Sequence, residues 1–88
     1  MNELENLRQQ IDRLDEELLK TLAERMKVVD QLGKYKKANG VELRDNERFR
    51  ALVATRLDQA AKLGLSDSFV TELYELIHLA ALEREAGA

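Results

Sequence analysis

The stretch LENLRQQIDRLDEELLKTLAERMKVVDQLGKYKK, residues 4–37, decides the fold. Leu4, Leu7, Ile11, Leu14, Leu18, Leu22, Val29 and Leu32 fall on one stripe of a helix, at spacings of three and four with a single gap. The gap is at position 25, where the stripe calls for an apolar residue and the chain supplies Arg25. Lys36 lies eleven residues further on, about three turns later, on nearly the same face. Two permanent cations on an apolar seam are costly unless an anion meets them, and nothing on the stripe supplies one. The missing anion is therefore expected to be a ligand.

The first helix is expected from about Asn2 to Lys37, a rod of about 50 Å at about 1.5 Å per residue. A compact chain of this length has a radius of gyration of about 12 Å, so the rod must project from its own domain. A second copy of the chain is the simplest cover for its apolar stripe. Outward from the rod, Ala38-Asn39-Gly40 is a helix stop and Val41 to Arg44 a short connection. Asp45 is expected to cap a second helix that runs to about Lys62, with Phe49, Leu52, Val53, Leu57 and Ala60 inward and Gly64 just past its end. Ser66 opens a third, flanked by Leu65 and Val70 at the spacing of a hydrophobic staple. Its inner face is Val70, Leu73, Tyr74, Ile77, Ala81 and Leu82, ahead of a frayed tail from Glu85 to Ala88. The expected fold is all-α, one domain over residues 1–88, with one long N-terminal helix in an intertwined homodimer.

Composition narrows the function. Proline is absent, glycine is scarce, and 44% hydrophobic residues are mixed with 35% charged ones, so strands are not expected. A net charge of −3 leaves no footprint for nucleic acid or an anionic membrane. Without cysteine there is no disulfide, thiol nucleophile or Cys-ligated zinc, and His78 alone builds no metal site. The lack of an apolar run of signal or transmembrane length points to a soluble cytoplasmic protein.

Arg8, Arg25, Lys36, Asp45, Arg48 and Glu85 form the candidate constellation. Arg25 and Lys36, about 16 Å apart along the axis, are within reach of one small molecule if their side chains lean together. Arg8 is about 26 Å from Arg25 and too far to join them within one chain. In an antiparallel pair of long helices centred near residue 19, Arg8 of one chain comes level with residue 30 of the other. Such a cluster beside a helix N-terminus suits a small dianion gripped by guanidinium forks. Each residue also has a plainer role when taken singly. Arg25 could snorkel or pair with a glutamate, Lys36 complement the helix dipole, Asp45 serve only as a cap, His78 pack at an edge, and Glu85 face solvent.

The runs Leu7-Arg8-Gln9-Gln10-Ile11-Asp12-Arg13-Leu14-Asp15, Ala23-Glu24-Arg25, Gly33-Lys34-Tyr35-Lys36, Arg44-Asp45-Asn46-Glu47-Arg48 and Leu73-Tyr74-Glu75-Leu76-Ile77 closely resemble the all-helical chorismate mutase family over nearly the whole chain. The resemblance implies an intertwined homodimer with two pockets, each taking Arg8 from the partner. It implies that Arg8 and Arg25 hold the two carboxylates of chorismate, that Lys36 binds a carboxylate and the ether oxygen, and that Asp45 contacts the ring hydroxyl beside Arg48. The implied reaction is a Claisen rearrangement to prephenate in aromatic amino-acid biosynthesis, with no cofactor or metal. Three positions depart from the family pattern: Phe49 replaces a glutamate that accepts from the ring hydroxyl, Ala81 a serine, and Glu85 a glutamine that donates to the ether oxygen. A glutamate donates there only when protonated. These changes spare the carboxylate clamp and alter the wall around the ring, which keeps open an isochorismate pyruvate-lyase, a 4-amino-4-deoxychorismate mutase, or a non-catalytic binding or regulatory module.

Overall fold

A computed structural model describes residues 2–87. It contains three helices: α1 (Glu3–Ala38), α2 (Asn46–Lys62) and α3 (Asp67–Gly87). There is no strand among the described residues, so the all-α expectation holds. No helix among them is long and apolar enough to cross a membrane.

Local chemistry sets each boundary. Asn2 caps α1 by accepting from the backbone N–H of Glu5 at 2.8 Å, and Asp45 caps α2 by accepting from that of Arg48 at 2.9 Å. Ser66 accepts from the N–H of Phe69 at 3.3 Å and opens α3. Both α1 and α2 end in one closure. Gly40 and Gly64 take φ of 66° and 77°, which turns the chain so that the N–H of Val41 reaches the Lys36 carbonyl and that of Leu65 reaches the Ala60 carbonyl.

The third helix outruns its expected end. Residues 85–87 are helical, not a frayed tail, and Ala88 lies outside the described residues. The last turn is tied down on both sides of Glu85. Arg84 makes a two-pronged ion pair with Asp30 of α1, with nitrogen–oxygen distances of 2.8 and 2.7 Å. The Lys37 ammonium donates to the Ala86 carbonyl at 2.7 Å.

Packing is organised around α3, which lies against both other helices, whereas the backbones of α1 and α2 do not come close to each other. Val29, Ala60, Val70 and Ala81 are the buried apolar residues of this small core. The expected buried seam of α1 therefore needs correcting for the single chain: Leu4, Leu7, Ile11, Leu14 and Leu18 are all exposed, and only Val29 of the stripe is buried. The cause is length. A chain 57 Å long and 25 Å wide cannot fold its shorter helices over the whole of α1.

Candidate active site

The cavity lies where α1 and α2 face each other across α3, and it has a volume of about 170 Å³. Arg25 and Lys36 enter from α1, Asp45, Arg48 and Phe49 from the start of α2, and His78, Ala81 and Glu85 from α3. Seven of the eight residues singled out from sequence thus meet in one place. The eighth, Arg8, is exposed on the bare half of α1 and does not line this cavity.

The helical repeat explains the convergence. Arg25, Val29, Leu32 and Lys36 succeed one another at three and four residues, so one face of α1 presents a cation at each end and apolar side chains between. Tyr74, His78, Ala81 and Glu85 follow the same spacing on α3 and face the same space. Because Asp45 is the N-cap, the start of α2, with its partial positive charge, faces the same space.

The charges are unevenly satisfied. Lys36 donates to Glu85 Oε1 at 2.6 Å and to the Leu43 carbonyl at 2.8 Å. Glu85 is itself buried, with 5% of its surface exposed, which overturns the reading of this residue as solvent-facing. The Asp45 carboxylate is engaged by its own helix start. Arg25 Nη1 is buried and has no hydrogen-bond partner among the described residues. The simpler readings of Arg25 do not account for this nitrogen, which is neither in water nor paired with a glutamate. An unpaired buried guanidinium N–H costs about 1–3 kcal/mol, and a bound anion would remove that cost. Three cations of the cavity, Arg25, Lys36 and Arg48, face two carboxylates, Asp45 and Glu85, so one positive charge is left over.

His78, expected only to pack at an edge, stacks its ring on Phe49 with centroids 4.0 Å apart and planes 18° apart. Burial pushes the imidazole below its usual 6.5, and Arg44, Arg25 and Lys36 push the same way against the opposing pull of Glu85. The available signal was its spacing, one turn before Ala81 and Leu82 and two before Glu85.

Comparison with known proteins adds a family. Residues 7–86 match the model for chorismate mutase type II. The chain is 36% identical over 73 residues to the T-protein of Haemophilus influenzae, which covers 83% of this chain and 19% of that protein. It is 34% identical over 76 residues to a 4-amino-4-deoxychorismate mutase of Streptomyces venezuelae, covering 86% of this chain and 74% of that one. A bifunctional chorismate mutase/prephenate dehydratase of Buchnera aphidicola is 30% identical over 76 residues, covering 86% of this chain. The chain thus spans 19% of the T-protein and 20% of the bifunctional protein, but 74% of the amino-chorismate enzyme.

Proposed function

The chain belongs to the chorismate mutase type II family, and we propose that it converts chorismate to prephenate by a Claisen rearrangement. One C–O bond breaks and one C–C bond forms within a single molecule, with no proton transfer and no leaving group. The enzyme has only to hold the compact conformer and stabilise negative charge on the ether oxygen as the bond opens. The observation that carries this reading is Arg25, whose buried unpaired Nη1 marks a site built for an anion. In this scheme Arg25 grips one carboxylate, Lys36 a carboxylate and the ether oxygen, and Asp45 the ring hydroxyl through its backbone. Arg48, Phe49 and Ala81 form the wall, and Glu85 faces the ether oxygen.

A dianion needs one more cation than the cavity's surplus of one. We assign it to Arg8 of a second copy, which makes the working unit a homodimer. Two further quantities support the dimer. The radius of gyration is 16.4 Å, against about 12 Å for a compact chain of this length. The surface is 7000 Å², against about 5,300 Å² for a compact monomer of this mass. The excess, about 1,700 Å² per chain, is what an obligate dimer interface would cover.

The similarity to a 4-amino-4-deoxychorismate mutase favours one second reading, a rearrangement of the amino analogue. Loss of the substrate's ultraviolet absorbance, followed separately on chorismate and the amino analogue with product identification, tests both. Turnover of chorismate with prephenate as product supports the first reading. Turnover of the amino analogue alone would replace it, and no turnover of either would end both.

A further inference from the structure

We propose that His78 is a specificity-determining residue that recognises the hydroxyl on the substrate's ring, from a position fixed by the Phe49 ring. The proposal rests on the functional reading above and adds to it the residue that reads the ring.

The first support is geometric. Phe49 on α2 and His78 on α3 stack at 4.0 Å, which fixes the plane of the imidazole, and both rings line the cavity that holds Arg25 and Lys36. The second is availability. Neither nitrogen of His78 hydrogen-bonds to another of the described residues, and its side chain contacts them through the stack on Phe49. The other polar groups are committed or wrongly charged: Lys36 is held by Glu85 and Leu43, Asp45 caps α2, and Arg25 and Arg48 are cations suited to carboxylates.

The third support is electrostatic. Arg25, Arg44 and Lys36 all bear on His78, with Glu85 opposing them, and together with burial they favour the neutral imidazole. A neutral imidazole has one donor and one acceptor, and a hydroxyl complements either. A ring ammonium at the same place would meet those three cations instead. Tyr74 is the other neutral polar side chain in the cavity, but it lies one turn away on α3, toward the end remote from Glu85.

The test uses two unreactive probes, an oxabicyclic dicarboxylate that mimics the rearranging molecule and its counterpart without the ring hydroxyl. Binding is measured by calorimetry, and the imidazole spectrum is followed by NMR, where His78 is the chain's one histidine and owns the signal. Wild type should bind the hydroxylated probe about tenfold more tightly, the worth of one hydrogen bond between neutral groups, and only that probe should strongly shift the His78 signal. His78→Leu should lose most of that preference, keeping only the part that the Asp45 backbone supplies. His78→Asn, which keeps a donor and an acceptor, should retain part of the preference and decides the matter if the leucine variant does not fold. Tyr74→Phe should keep the full preference, and wild-type kcat/KM should be higher on chorismate than on the amino analogue. Equal binding of the two probes by wild type, an undiminished preference in both His78 variants, loss of the preference in Tyr74→Phe, or faster turnover of the amino analogue would each overturn the proposal. A wild type that binds neither probe and turns over neither substrate would instead overturn the functional reading on which it rests.

Discussion

Lys36 of α1 and Glu85 of α3 meet at 2.6 Å inside the cavity, with 14% and 6% of their side-chain surfaces exposed. The ammonium assigned to the substrate is thus already neutralised by a carboxylate of the same chain. Breaking a buried pair by removing one partner is destabilising, because the other charge is left uncompensated. A dianion entering the cavity would supply the compensation. Glu85→Gln should therefore melt at a lower temperature than wild type without ligand, by about 1–3 kcal/mol of stability, and recover most of the loss when a dicarboxylate binds. Thermal melts with and without the dicarboxylate check this. A glutamine also donates to the ether oxygen at any pH, whereas a glutamate must first be protonated. Glu85→Gln should therefore turn over the substrate at least as fast as wild type, which steady-state kinetics on the two proteins checks.

Arg25 separates function from stability. Its buried Nη1 contributes no hydrogen bond to the fold, so Arg25→Met should lose about 100-fold or more in kcat/KM while its stability is unchanged or raised by about 1 kcal/mol. Circular dichroism melts beside steady-state kinetics give both numbers. A full-rate Arg25→Met enzyme would remove Arg25 from the site.

Asp30 and Arg84 predict a pH effect on stability. The hydrogen-bonded Arg84 guanidinium holds the Asp30 carboxyl below its ordinary 3.8, against the opposing effect of desolvation. A carboxyl that is more acidic folded than unfolded adds stability above its unfolded value, and that contribution is lost as pH falls through the folded one. Asp30→Asn should therefore lower the melting temperature slightly at neutral pH and have no effect in strong acid. Melting curves across pH, for wild type and Asp30→Asn, test the window.

Arg8 should act across chains. An Arg8→Ala chain and an Arg25→Ala chain should each be nearly inactive. In the mixed dimer one pocket carries both lesions and the other neither, so mixing should restore up to half of the activity per mixed dimer. Absence of recovery after demonstrated subunit exchange would place Arg8 outside the site.

Much of this architecture was legible because it rests on local rules. Asp45 and Ser66 cap helices through oxygens of their own side chains, and Gly40 and Gly64 end them through a backbone conformation that other residues avoid. Periodicity likewise put Arg25 and Lys36 on one face. What escaped was set by contacts distant in sequence. The tail beyond Glu85 is helical because Asp30 and Lys37 hold it from the far helix. The partner of Lys36 lies 49 residues away. His78 was read as an edge residue because nothing in the order of the chain shows that Phe49 comes to rest against its face.

With the backbones of α1 and α2 packed on α3 and not on each other, the link between Lys36 and Asp45 is the covalent measure of the cavity's breadth. Its start is fixed by the Lys36 carbonyl, which accepts from Val41, and its middle by the Lys36 ammonium, which takes the Leu43 carbonyl. One residue pins its own connector at two points. Adding or deleting a residue here would do more than lengthen a surface turn, since it would carry Asp45, Arg48 and Phe49 sideways together against a stationary Arg25. The length of this short segment thus sets the size of the chamber as directly as the side chains that line it.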